Sequence, residues 1–169
     1  KNSTGKTIRV GAANTATVKS SAGIYGLNTG NILNEGTIEF GQGSAGIYGE
    51  NITGKIENKS GALLTSNFGS NVTGIFAKNS AVENRGDITL GDTSNGIYTE
   101  NGQIDNYGNI TTGNTNSAGI FGNGNTQITH NSGTVTTGGN SVGIATENGN
   151  IINNSSIVSL GDGATYIYS

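Results

Sequence analysis

An all-β fold, a parallel β-helix wound as a solenoid, is what this sequence predicts, on a repeat, a composition and a set of corners. The tripeptide Gly-Ile-aromatic recurs as Gly23-Ile24-Tyr25, Gly46-Ile47-Tyr48, Gly74-Ile75-Phe76, Gly96-Ile97-Tyr98 and Gly119-Ile120-Phe121, with degraded copies at Gly143-Ile144-Ala145 and Tyr166-Ile167-Tyr168. Successive isoleucines stand 23, 28, 22, 23, 24 and 23 residues apart. A period in that range belongs to repeat architectures, in which each unit buries its apolar face only by stacking on its neighbours. The composition excludes the alternatives. With 30 Gly, no Pro, and 11 % charged residues, the chain has neither the charge nor the proline of a disordered segment. Ala, Leu, Glu and Lys are sparse beside Gly, Asn, Thr and Ser, which disfavours helix. The apolar residues are mainly β-branched Ile and Val, which suit strands.

Three strand signals recur in fixed order. The first is Gly-Ile-aromatic, and its isoleucines (Ile24, Ile47, Ile75, Ile97, Ile120, Ile144, Ile167) are the expected core column. Strand alternation then sends the following aromatic outward, together with the Gly two residues before it. The second opens with Ile32, Ile56, Val82, Ile104, Ile128 and Ile151, and the third centres on Ile8, Ile38, Leu63, Ile88, Ile110, Val135 and Ile157. Steps of 6 to 10 residues between most strand centres leave no room for three-turn helices. Because each copy returns in the same order, like strands pair in parallel. About 23 residues and three strands make a rung, and about seven rungs fill residues 1–169 as one β-helical segment. At roughly 4.8 Å per rung the rod is roughly 30 Å long.

Corners carry the polar residues. Between second and third strands the chain reads Asn34-Glu35-Gly36, Asn84-Arg85-Gly86 and Asn106-Tyr107-Gly108, with longer versions at Asn58 to Gly61 and His130 to Gly133. Asn and Gly tolerate the left-handed backbone that tight corners require. A second column, Asn28, Asn51, Asn79, Asn101 and Asn148, broken by Gly124, follows the first strand. Identical amides one rung apart can hydrogen-bond along such columns.

Charge excludes some functions. A net charge of −3 without a basic cluster argues against nucleic acid as a partner. No apolar stretch is long enough for a membrane-spanning helix. Without an initiator Met or signal peptide, the chain reads as an excised piece of a longer array.

The aromatic column Tyr25, Tyr48, Phe76, Tyr98, Phe121 and Tyr168 is a candidate exposed stripe whose ring faces would pack on sugars. The plainer alternative is a structural ladder of rings stacked at rung spacing. Two long corners, residues 11–22 and 65–73, interrupt the same edge of the rod, and loops on rigid scaffolds are where recognition concentrates. The second presents Phe68 with Asn67 and Asn71, and these are candidate binding residues. Arg85-Gly86-Asp87 matches the tripeptide that integrins read in flexible loops, yet it falls on a rigid corner whose Gly the turn itself requires. No catalytic residue, cofactor or metal site is expected. Asp87, Asp92, Asp105 and Asp162 are dispersed, Glu50, Glu100 and Glu147 form a solvated edge with Lys78, and His130 stands alone.

Two segments, Gly86-Asp87-Ile88-Thr89-Leu90-Gly91-Asp92-Thr93-Ser94-Asn95-Gly96-Ile97-Tyr98 and Ser44-Ala45-Gly46-Ile47-Tyr48-Gly49-Glu50-Asn51, resemble passenger domains of type V autotransporters. The resemblance is closest to the very large fusobacterial-type outer-membrane adhesins. It covers essentially the whole chain and rests on the repeat pattern. It implies a secreted, right-handed β-helical stalk, the hand that parallel crossovers also prefer. It further implies a place on the surface of a Gram-negative bacterium, anchored by an outer-membrane β-barrel elsewhere in the precursor. Partners would be host-cell receptors, host glycans or other bacteria. The resemblance leaves two alternatives, the scaffold of an autotransporter toxin or protease and, further off, a β-helical polysaccharide-degrading enzyme.

Overall fold

Pairing between like strands one period apart organises the whole molecule. A computed structural model describes residues 1–11, 21–66, 70–159 and 161–169. Among them there is strand and no helix, and every strand pairing is parallel. One sheet stacks seven strands in chain order: Thr7–Val10, Thr37–Phe40, Leu63–Ser66, Asp87–Leu90, Ile110–Thr111, Thr134–Thr137 and Ser156–Ser159. The six intervals between those seven strands make a β-solenoid of about six turns.

The other sheet holds the first and second strands of the repeat. In the early turns these are separate: Ala22–Leu27 and Ile32–Asn34, Ala45–Glu50 and Lys55–Asn58, Thr73–Lys78 and Ala81–Asn84. Later they run together as Asn95–Asn106, Ala118–His130 and Val142–Asn153. Register shifts between Glu100 and Gly102, and between Gly122 and Asn125, mark the bends in these long strands. Thr165–Tyr168 closes the sheet at its far edge.

Like residues superimpose. Ile24, Ile47, Ile75, Ile97, Ile120, Ile144 and Ile167 form one unbroken register column. Ile47, Ile75, Ile97, Ile120 and Ile144 are fully buried, whereas Ile24 is half-buried and Ile167 is 43 % exposed. Those two have a rung of their own sheet on one side only. The second-strand column from Ile32 to Ile128 is likewise buried. In the third column the core member is Leu64, not Leu63. Leu64 aligns with Ile88 and Ile38, while Leu63 pairs with Asp87 and Thr37. The turn after Asn58 is two residues longer than the turn after Asn34, which slides the strand by one position from the expected centre.

Alternation also misplaces the glycine. In Gly-Ile-aromatic the Gly lies inward beside its isoleucine, and Gly46, Gly74, Gly96, Gly119 and Gly143 are all buried. A Cβ on Gly74 would stand 2.5 Å from the Gly96 carbonyl oxygen and 2.8 Å from the Ile88 side chain. Only hydrogen fits where the first strand's backbone presses on the third strand's core residue. The glycine is therefore a packing requirement.

The corner asparagines of Asn-x-Gly play a different part from the one their residue type suggests. None of Asn34, Asn58, Asn84 and Asn106 is among the residues with positive φ, and all are fully buried. Their carboxamides form a file along the solenoid: Asn2 Nδ2 donates to Asn34 Oδ1 (2.8 Å), Asn34 to Asn58 (2.8 Å), Asn58 to Asn84 (2.9 Å) and Asn84 to Asn106 (2.7 Å). Asn106 Nδ2 then donates to His130 Nδ1 (3.0 Å) and to the Gly108 carbonyl (3.0 Å). The direction of the file makes His130 Nδ1 an acceptor, so Nε2 carries the proton and faces the Ser156 carbonyl at 3.3 Å. Burial holds the imidazole below its ordinary value, against the opposing pull of the backbone of Ser156 and Asn106.

Candidate functional site

The aromatic column is a ridge of stacked rings. Tyr25 and Tyr48 lie 5.3 Å apart centroid to centroid, Tyr48 and Phe76 4.9 Å, Phe76 and Tyr98 5.1 Å, and Tyr98 and Phe121 5.5 Å, with interplanar angles of 2° to 21°. The candidates Tyr25, Tyr48, Phe76 and Tyr98 are thus brought together, with Phe121 added. Their faces are not offered to a ligand as a row of platforms. Each inner ring is covered on both faces by its neighbours and presents its edge to solvent. Tyr25, at the end of the stack, is 62 % exposed. Ala145 is the next position after Phe121, and the file of rings stops there.

The two flanks of the ridge differ. On one, Glu50, Lys78 and Glu100 align across the turns, with Lys78 Nζ 3.6 Å from Glu50. The Tyr48 hydroxyl donates to Glu50 at 3.2 Å, and burial raises its pKa with help from that carboxylate. On the other flank lies an uncharged groove. Its floor is a column of mostly small residues: Ala22, Ala45, Thr73, Asn95, Ala118, Val142 and Thr165. Its far wall is a file of corner residues, each two positions before a floor residue: Gly43, Asn71, Thr93, Asn116, Asn140 and Gly163. All six have left-handed backbone, at φ 71°, 56°, 54°, 55°, 51° and 72°. The corners stack, with Asn71 N–H donating to the Thr93 carbonyl (3.0 Å) and Asn116 N–H to the Asn140 carbonyl (2.8 Å).

Two depressions open along this groove. One of about 510 Å³ lies between Tyr98 and Phe121 on the ridge and Asn116 and Asn140 on the corner file. The other, about 350 Å³, lies between Tyr25, Tyr48 and Phe76 and the corner residue Asn71. Among the described residues no charged side chain lines either. Asn71, Asn116 and Asn140 are exposed, and the carboxamides of Asn116 and Asn140 make no hydrogen bond among the described residues. Sequence reasoning found Asn71 but missed Asn116 and Asn140. Their common signal is an offset of two residues before the floor column, hidden because Gly, Thr and Asn all occupy the file. Phe68 and Asn67 lie outside the described residues, as does most of the corner at 11–22.

The integrin-like tripeptide is engaged by its own scaffold. Arg85 Nε donates to Glu83 at 2.7 Å, and its guanidinium lies 4.1 Å over the Tyr107 ring. Asp87 accepts from Asn109 Nδ2 at 3.0 Å, and Gly86 is buried. Hydrogen bonds from Lys55 and Arg85 hold the Glu83 carboxyl down at about 2. Among the described residues no three His, Asp or Glu side chains gather where they could hold a metal ion.

No protein-family model matches the chain, and no curated protein and no solved structure matches it significantly.

Proposed function

We propose that the chain is a stalk segment of a bacterial surface adhesin, presenting an extended contact face to host cells, to their glycans or receptors, or to other bacteria. The observation that carries this reading is the repetition of one surface over successive turns, the ring ridge with its uncharged groove. Such a surface suits many weak contacts with an extended partner, and linked contacts gain through effective concentration. The solenoid supplies stiffness, because backbone groups pair with the rungs on either side. In this reading the stalk stands outside a Gram-negative cell, held by an outer-membrane barrel in the rest of the precursor, as the resemblance of the repeat implies.

Beads coated with the chain test the reading. Attachment to host epithelial cells or to partner bacteria, above beads coated with an unrelated β-solenoid, is the expected result. Attachment no better than that control, together with release of new reducing ends from a polysaccharide, would replace it with the enzyme alternative.

A further inference from the structure

The groove beside the ring ridge has a chemistry specific enough to name its occupant. We infer that it binds an uncharged linear polysaccharide lying along the solenoid axis. This deepens the adhesin reading and rests on it only for where such a polymer would be met.

Three observations select this ligand class. The first is the contrast between the walls. The ridge offers aromatic edges, an apolar surface for the C–H groups of sugar rings, and the facing file offers the carboxamides of Asn116 and Asn140, which have no partner among the described residues. An amide donates and accepts at once, which matches a pair of neighbouring sugar hydroxyls. This use of asparagine is unlike the buried file, where Asn34, Asn58 and Asn84 hand their amides to one another.

The second is charge. Among the described residues neither depression has a Lys, Arg, Asp or Glu in its lining. A sulfated or uronic polymer needs cations to offset its own charge, as nucleic acids do. Glu50, Lys78 and Glu100 line up across the other flank of the ridge, and Asp92 and Asp162 stand one residue before the corner residues Thr93 and Gly163 without lining a depression.

The third is the state of the backbone. A polypeptide that bound by adding a strand would need free N–H and C=O groups at a sheet edge. The floor strands have parallel partners on both sides through the middle turns, so they offer no such edge. The groove also repeats its walls once per rung, at roughly 4.8 Å. An extended chain of pyranose rings has a similar short repeat, so successive sugars fall beside successive rungs.

Affinity electrophoresis tests this in native gels containing a soluble linear neutral polymer, mixed-linkage β-glucan, glucomannan or pullulan, with heparin as the charged comparator. Retardation by at least one neutral polymer and none by heparin at physiological ionic strength is expected. Replacing both amides, Asn116→Gly with Asn140→Gly, should weaken that retardation about tenfold, as two lost hydrogen-bonding groups imply. Phe121→Ala should weaken it as well, and Thr111→Ala on the other sheet should leave it unchanged. Both asparagines are exposed and sit on left-handed backbone that Gly accepts, so the double variant keeps the fold intact and the test valid even if Phe121→Ala does not fold. Failure of every neutral polymer to retard the chain, stronger retardation by heparin, or an undiminished effect in the double variant would each overturn the proposal. Bead attachment to cells that survives the double variant would leave the adhesin reading standing and remove this one. Retardation by a neutral polymer without attachment to any cell would do the reverse.

Discussion

Two files of asparagine run along this solenoid, and the same side chain does opposite things in them. In the buried file each carboxamide of Asn34, Asn58 and Asn84 donates to the next, and all three are fully buried. In the corner file Asn116 and Asn140 hold left-handed backbone at φ 55° and 51°, are exposed, and keep their amides unpaired. A third column stands between these extremes. Asn28, Asn51 and Asn79 are left-handed as well, at φ 50°, 52° and 48°, but Asn79 donates to Asn51 (3.0 Å) and Asn51 to Asn28 (3.1 Å). Residue type alone therefore does not separate scaffold from contact surface. What separates them is whether the amide has already found a partner and whether water can reach it. A buried amide without its partner is costly, whereas an exposed one costs nothing to leave waiting.

The largest effect expected from this contrast is on stability. Asn84→Ala leaves Asn58 Nδ2 without an acceptor and Asn106 Oδ1 without a donor, both in the interior. At about 1–3 kcal/mol per stranded group, a loss of roughly 3 kcal/mol is expected in urea unfolding. Asn116→Gly, in the corner file, keeps a left-handed backbone that Gly accepts, removes no internal hydrogen bond among the described residues, and should cost at most about 1 kcal/mol. Equal losses in the two variants would erase the distinction between the files.

A pH titration sharpens the same contrast where a histidine replaces the amide. His130 accepts from Asn106 through Nδ1, so protonating that nitrogen sets two donors against each other. Its folded pKa lies below the ordinary 6.5, with desolvation by burial the main cause. The unfolded chain then takes up the proton first. The stability this site contributes is complete above pH 6.5 and is lost progressively as pH falls below that value. Glu83, lowered from 4.5 to about 2 by its bonds to Lys55 and Arg85, loses its contribution only below pH 4.5 and so adds no slope between pH 7 and pH 5. His130→Asn restores an amide to the file and should flatten the upper window, as followed by thermal unfolding from pH 7 to pH 5. An unchanged slope in that variant would show that the file does not depend on the protonation of this side chain.

How much of this was legible follows from what a repeat can and cannot encode. Register was legible, because identical spacing forces like residues to superimpose, and the column from Ile24 to Ile167 does so without a break. Positions set by contacts between different strands were not. The inward turn of Gly74 depends on Ile88, a residue of another strand, so counting alternation along one strand points it the wrong way. Leu64 displaced Leu63 because two adjacent leucines satisfy the pattern equally and only the longer turn decides. The rings were identified as a column, but their edge-on presentation depends on the distance between neighbours. The corner file escaped because its members share a backbone conformation and not a residue type.

That last point makes Thr93 informative. It sits in the corner file between Asn71 and Asn116, at φ 54°, a conformation that a β-branched residue adopts at a cost of about 1–3 kcal/mol. Asparagine tolerates the same backbone far better. Thr93→Asn should therefore raise stability by about 1 kcal/mol, read as a higher midpoint in urea with an unchanged slope. The substitution would also fill the gap in the file, so that the groove carries an unbroken run of amides from Asn71 through Asn116 to Asn140. Tighter retention on the neutral polymer by a few-fold is the expected companion of the gain in stability. Relief of strain without any change in retention would mean that the file is only a corner. A gain in both, from one half-buried side chain, would tie the backbone conformation to the contact surface it presents.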